Sequence, residues 1–253
     1  MKICTLNTWN TNEPLASRLD SASAFFRYWQ PDVIALQEVS PMPSGELTCS
    51  YLARESGYSH SHYVKCGYWD GREEGLAIVT SLPVIEAHSF GLPQGQGDTN
   101  RRLQAIILSI HGQPIILLNT HLAYHASAGE LRMSQIEVIV EKVNWLRNKA
   151  KASILLCGDL NDIPQSQPVQ ALLASTNLCD TWTTIHTKEG YSFSAQNPYV
   201  SAELWPNRRI DYVLCERPCQ VRRAFLSLRL DDDFGLASDH YCMCAELEPN
   251  GLI

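Results

Sequence analysis

No apolar run in the 253 residues approaches the roughly 18 needed to cross a bilayer, so nothing in the sequence reads as a membrane span. Internal repeats, low-complexity tracts and composition breaks are also missing. Their absence removes solenoid, fibrous and linker-joined arrangements and leaves residues 1–253 as one expected domain. Disulfide and zinc patterning is absent as well. The nine cysteines are scattered, with Cys215 and Cys219 four apart and Cys242 and Cys244 two apart, and they read as small buried side chains in a reducing compartment. The eight histidines show no HExxH spacing and no Gly-x-Ser-x-Gly elbow occurs, which argues against zinc-peptidase and serine-nucleophile chemistry. The N-terminus passes from Met1 into strand-like sequence without the stages of a secretory signal. The expected location is therefore cytoplasmic, although secretion by a signal-free route would leave no mark.

What is present is a 45% apolar share, enough for a sizeable core, and a formal net charge of −7. That charge disfavours a surface gripping long nucleic acid through many phosphates. One stretch runs the other way: Arg208, Arg209, Arg217, Arg222, Arg223 and Arg229 stand against Glu203, Asp211 and Glu216. An acidic body with one basic stretch fits a small or short phosphorylated substrate, and equally an ordinary solvated face.

Apolar periodicity predicts strands over 2–8, 33–36, 60–65, 76–80, 84–90, 103–111, 115–120, 153–157, 210–215, 220–226 and 241–247. Helices are predicted over 15–29, 45–56, 129–149 and 167–175, the third with Leu131, Ile136, Ile139, Val140, Val143 and Leu146 on one stripe. Gly91 to Asn100, with three glycines and a proline, is expected to be a mobile flap. Strands in runs with helices between some of them predict two mostly antiparallel sheets packed face to face with helices outside, an α/β sandwich.

Five polar islands end the apolar runs: Leu6-Asn7-Thr8, Leu36-Gln37-Glu38, Asn119-Thr120-His121, Gly158-Asp159-Leu160-Asn161 and Ser238-Asp239-His240. Burying such groups without partners costs about 1–3 kcal/mol each, so packing does not explain them. A divalent metal, a water and a phosphate would use them all. Asp159 and Asn161, two apart, share one side of an extended chain and aim a carboxylate and an amide at one point, while an Asx turn is the plainer alternative. Glu38 offers hard oxygen to Mg²⁺ or Mn²⁺, with Asn7 able to ligate or support it. His121 ends a strand where it can donate to a phosphate oxygen. Asp239-His240 pairs a carboxylate with an imidazole, and Asp211 lies in an otherwise apolar strand that demands a partner for it. Arg101 and Arg102 could clamp a phosphate, with a solvated loop as the alternative.

In order along the chain, LNTWN at 6–10, LQEV at 36–39, EGLAIVTSLPV at 74–84, NTHL at 119–122, GDLND at 158–162, RIDYVL at 209–214 and SDHY at 238–241 resemble the endonuclease/exonuclease/phosphatase superfamily. The resemblance implies a four-layer DNase I-like α/β sandwich and a Mg²⁺- or Mn²⁺-dependent phosphohydrolase cleaving a nucleic-acid, lipid or small-molecule phosphodiester with activated water. It implies Glu38, Asn7 and Asp239 as metal residues. Asp159, Asn161, His121, His240 and Asp211 become catalytic, and Arg102 and Asn119 are expected at the substrate phosphate. The histidine of NTHL is similar to the sphingomyelinase, phosphatase and general nuclease branches rather than to abasic-site endonucleases. A sphingomyelinase would need an apolar aromatic membrane contact, and Tyr199 to Trp205 carries Tyr199, Val200, Leu204 and Trp205, which ordinary packing explains equally well. A monomer is expected, and the alternative is a catalytically silent member that binds a phosphate or a protein.

Overall fold

The computed structural model describes residues 1–95, 100–110, 112–204 and 206–249. Its strands are β1 (Lys2–Asn7), β2 (Val33–Val39), β3 (His60–Trp69), β4 (Arg72–Thr80), β5 (Val84–Gly91), β6 (Arg102–Ile110), β7 (Gln113–His121), β8 (Ser153–Asp159), β9 (Leu178–Asp180), β10 (Asp211–Glu216), β11 (Cys219–Ser227) and β12 (Cys242–Pro249). The helices are α1 (Leu15–Trp29), α2 (Thr48–Ser56), α3 (Gly129–Ala150), α4 (Gln167–Thr176) and α5 (Thr181–Ile185).

Two six-stranded sheets form, ordered β11-β12-β1-β2-β4-β3 and β5-β6-β7-β8-β10-β9. Each is antiparallel except at one pair, β1 with β2 and β7 with β8. Parallel neighbours need a long crossover, which α1 and α3 supply. The inner faces meet in a core containing Ile3, Ala35, Ile106, Leu117, Cys157, Val213 and Met243. Leu19, Phe26 and Trp29 of α1 and Leu52 of α2 cover the outer face of the first sheet, and Ile136, Ile139 and Val143 of α3 and Leu172 of α4 cover that of the second. The result is the expected four-layer α/β sandwich.

The third helical stripe is interrupted by polar residues, because Arg132 and Gln135 are buried along with Ile136, Ile139, Val143 and Leu146. The three-residue strand β9 and five-residue helix α5 carry too little periodicity to be read from sequence. The expected flap at 91–100 and the aromatic stretch 199–205 fall partly on residues 96–99 and 205, outside the described residues. Among those described, no helix is long and apolar enough to cross a membrane.

Candidate active site

Both parallel pairs end at the same edge of the sandwich. β1 delivers Asn7 and β2 delivers Glu38, while β7 and β8 end in His121 and Asp159, paired in register. Chain direction does this, since parallel neighbours finish on one side and their last side chains face the same space. Asn7, Glu38, His121, Asp159, Asn161, Asp239 and His240 all line one cavity of about 350 Å³.

Local backbone devices aim these groups. β2 slips register against β4 between Leu36 and Val39, and Glu38 there has φ of 53°. The bulge turns Glu38 toward the cavity, while Gln37 stays between the sheets and donates to Thr5 Oγ1 at 2.9 Å and Asn119 Oδ1 at 2.7 Å. Gly158 has φ of 142°, and a Cβ there would stand 2.0 Å from the Thr120 carbonyl oxygen. Only glycine lets β8 approach β7 so closely beside Asp159. Asn161 follows at φ 52°, and its backbone N–H donates to Asp159 Oδ1 at 2.8 Å. The Asx turn and the convergence of Asp159 with Asn161 are therefore the same object. It is this turn, rather than the alternation of an extended chain, that brings Asp159 and Asn161 together.

The carboxylates are held by amides. Asn7 Nδ2 donates to Glu38 Oε1 at 3.0 Å and to Asp159 Oδ2 at 3.2 Å, bridging the two sheets. Asn10 Nδ2 donates to Glu38 Oε2 at 2.7 Å and lies 3.4 Å from Glu74 Oε2. Glu74 in turn pairs with Arg101 Nη1 at 3.6 Å. His240 Nδ1 donates to Asp211 Oδ2 at 2.8 Å, which turns Nε2 toward Asp159, 3.9 Å from its Oδ2. His121 Nε2 lies 3.4 Å from the same oxygen. Asp239 accepts from Ser238 Oγ at 3.1 Å and lines the cavity, so Asp211 is the residue that braces the imidazole.

These contacts push the titrations apart. Burial, with Glu74 and Asp239 nearby, raises the Glu38 carboxyl to about 8, and burial together with Asp211 raises Asp159 to about 6. Burial alone would lower His240, but Asp211, Asp239 and Asp159 overcome it and hold the imidazole well above its ordinary range. His121 goes the other way, driven well below by burial and by Arg101 and His240. The two imidazoles are thus driven in opposite directions, the separation from which acid and base roles are made. Glu38, Glu74 and Asp239 offer hard carboxylate oxygens, while the Asn7 and Asn10 amides turn their Nδ2 groups to Glu38 and their oxygens to the Trp9 N–H and the Ser40 hydroxyl. The mutual repulsion that raises Glu38 is what a cation among these carboxylates relieves, so the residues fit Mg²⁺ or Mn²⁺.

Two expected phosphate residues lie elsewhere. Asn119 is fully buried between the sheets, where Nδ2 donates to the carbonyls of Leu36 and Ala77 and to Gln104 Oε1, and Oδ1 accepts from Gln37. It ties β7 to β2 and β4 and does not line the cavity. Arg102 turns to the opposite side of its strand and donates to Ser89 Oγ at 2.7 Å, leaving Arg101 on the cavity side. Nor do the arginines of 208–229 form one patch: Arg208 lines the cavity, buried Arg209 pairs with Asp180 at 2.7 Å, and Arg222 and Arg229 meet Glu248 and Asp231. Tyr199 stacks on the cavity-lining Trp9 with ring centroids 5.1 Å apart.

Glu74, Asn10, Trp9, Trp69, Tyr124 and Phe193 join the cavity without having been singled out from sequence, and Arg208 is the member of the basic stretch that reaches it. Glu74 had a signal, as the polar residue opening the apolar run EGLAIVTSLPV. The aromatics had none, because only tertiary packing brings Trp69 and Tyr124 to 4.9 Å.

The model of the endonuclease/exonuclease/phosphatase family matches residues 4–240, which takes in every one of these groups. The chain belongs to that family. Among curated family relatives, protein angel homolog 1 of Rattus norvegicus is 27% identical over 254 residues, covering 90% of this chain and 37% of the relative. Tyrosyl-DNA phosphodiesterase 2 of Homo sapiens is 22% identical over 182 residues, 70% of this chain and 47% of the relative. The chain thus spans well under two thirds of either relative. The crystal structure of an endonuclease/exonuclease/phosphatase from Beutenbergia cavernae superposes with a TM-score of 0.81 at 23% identity, covering 100% of this chain and 72% of that one. At that identity the likeness is one of fold.

Proposed function

We propose that this protein is a Mg²⁺- or Mn²⁺-dependent hydrolase of phosphodiesters that directs water in line at phosphorus. The observation that carries it is the approach of Asp159 to both His121 and His240, at 3.4 and 3.9 Å, in the cavity that also holds Glu38 and Asp239. Glu38, Asp239 and the Asn7 amide would hold the cation, which when bound withdraws charge from a phosphoryl oxygen. Asp159 Oδ2 takes the proton of the attacking water while the Asn161 backbone amide holds its other oxygen. Asn161, anchored on the Leu122 carbonyl at 3.1 Å, orients the water or the phosphate. His121 donates to a phosphoryl oxygen as charge builds, and His240, kept protonated by Asp211, gives its Nε2 proton to the departing oxygen. A diester is supported by the likeness to a tyrosyl-DNA phosphodiesterase, and Arg72, Arg101 and Arg208 at the cavity suit an anionic substrate.

The test is hydrolysis of bis(4-nitrophenyl) phosphate with Mg²⁺. Asp159→Ala and His240→Ala are each expected to lower turnover about 10²- to 10⁴-fold with an unchanged circular-dichroism spectrum. Full turnover in both variants would remove the mechanism. A silent phosphate-binding module would show neither chelator-sensitive hydrolysis nor a rise in Tm on adding Mg²⁺.

A further inference from the structure

Away from the cavity, the edge of the second sheet gathers three thiols. Cys179 on β9 and Cys215 on β10 are direct cross-strand partners with Sγ atoms 3.4 Å apart. Opposed residues of an antiparallel pair have Cα separations that a disulfide spans without backbone movement. Cys219, at the start of β11, is near enough to perturb Cys215, while its own thiol donates to the Glu248 carbonyl at 3.8 Å. Access is graded: Cys215 is fully buried, Cys179 is 8% exposed and Cys219 is half-buried. The exposed Arg217 guanidinium stands near enough to favour the Cys179 thiolate, while the Thr184 hydroxyl donates to the Asp180 carbonyl at 3.0 Å. Hydrogen bonding from Cys215, reinforced by Arg217 against the effect of burial, draws the Cys179 thiol down to about 6, and a thiolate is the form that reacts with oxidants.

We propose that Cys179 and Cys215 are an oxidation site, closing to a reversible disulfide when a peroxide reaches the sheet edge. The Cys179 thiolate attacks one oxygen of hydrogen peroxide and the O–O bond breaks. Cys179 becomes a sulfenic acid, and the hydroxide released takes up a proton and leaves as water. The Cys215 sulfur then attacks the Cys179 sulfur; the S–O bond breaks, the S–S bond forms, and the departing hydroxide leaves with the Cys215 proton as a second water. The two sulfurs lose two electrons, the peroxide gains them, and a dithiol reverses the change. The bridge fastens β9, whose Asp180 holds Arg209 at 2.7 Å, onto the strand that begins with Asp211.

A second triple, Cys4, Cys242 and Cys244, has its sulfurs within 4.8 Å of one another, but all three are fully buried under α1. It has the proximity without the access, and so serves as an internal control.

The experiment treats the full chain with increasing hydrogen peroxide, blocks remaining thiols with N-ethylmaleimide and maps non-reduced peptides by mass spectrometry. The expected result is a Cys179–Cys215 peptide, loss of two of the nine free thiols, and recovery of both with dithiothreitol, while Cys4, Cys242 and Cys244 react only after denaturation. Cys215→Ser is expected to leave Cys179 as a sulfenic acid that dimedone captures. Cys179→Ser, at a position nearer the surface, is expected to form no bridge to Cys215. A Cys215–Cys219 bridge in place of the predicted one overturns the proposal. So does oxidation of both triples alike, or no bridge at peroxide levels that oxidise free cysteine.

Discussion

The two parallel units β1-α1-β2 and β7-α3-β8 are built alike and end in different chemistry. Each sends two strand ends to the cavity, and each crossover helix carries a buried arginine near its start that staples the loop following its first strand. Arg18 donates to the carbonyls of Thr8, Asn10 and Asn12, and reaches the Ala237 carbonyl at 2.9 Å, next to Ser238-Asp239-His240. Arg132 donates to the carbonyls of Ala123 and His125 and to Asp162 at 2.8 Å. The first unit ends among carboxylates, with Glu38 near Glu74 and Asp239; the second ends in His121 and Asp159. On the proposed function, one scaffold device presents a half that would hold the cation and a half that would handle protons, and the Asn7 amide joins them by bonding to Glu38 and Asp159 together.

Glu38→Gln tests that division most directly. On the proposed function it raises the Mg²⁺ concentration for half-maximal turnover by at least about 10- to 100-fold, as loss of groups around a metal does. Above about pH 8, where the Glu38 carboxyl is ionised, it also raises the Tm of the chelated protein, because a buried charge repelled by Glu74 and Asp239 is gone. Arg18→Met and Arg132→Met are next. Each removes charged hydrogen bonds worth about 1.5–3 kcal/mol apiece, so Tm falls in both. Arg18→Met is expected to weaken Mg²⁺ activation about tenfold, whereas Arg132→Met lowers turnover with Mg²⁺ activation unchanged. Equal effects on both readouts would abolish the distinction between the halves.

The pH dependence of stability is a subtler probe. Glu38 and Asp159 have folded-state values raised to about 8 and about 6, so the folded chain binds more protons than the unfolded chain across that range. Stability therefore falls as pH rises from the ordinary carboxyl range to about 8. His240, also raised, contributes stability that is lost as pH climbs through its folded value, while the depressed His121 acts in the opposite direction. In chelator, Tm is expected to fall between pH 5 and pH 8, values set by the ordinary carboxyl and raised Glu38 ranges (about 4 and about 8). Mg²⁺ should flatten the fall, and a Tm that rises with pH in chelator contradicts the charge arrangement. Arg102→Ala carries the smallest effect, turnover within about twofold, because its guanidinium is bound to Ser89 on β5.

Much of the fold was legible because apolar runs and stripes report burial directly. The strand ends Asn7, Glu38, His121 and Asp159 were legible because polar groups closing apolar runs have few structural uses. Asn119 was misread for the same reason: a buried amide satisfied by Leu36, Ala77, Gln104 and Gln37 looks, in sequence, like one waiting for a ligand. Arg101 and Arg102 could not be told apart, since which neighbour faces the cavity depends on strand phase. Arg18 had a visible signal, standing on the apolar stripe of α1 between Leu15 and Ala22, where a charge implies buried partners.

The order of apolar runs and polar islands by itself determined two packed sheets with helices outside and the side chains available for chemistry, because periodicity is a local property. Tertiary structure alone decided the rest. The bulge that aims Glu38, the closeness of β7 and β8 that requires Gly158, the pairing of Asp211 with His240 and the meeting of Cys179 with Cys215 all depend on distances between segments far apart in the chain. Such distances arise only when both sheets are packed, and pairing energies at the contacts decide them.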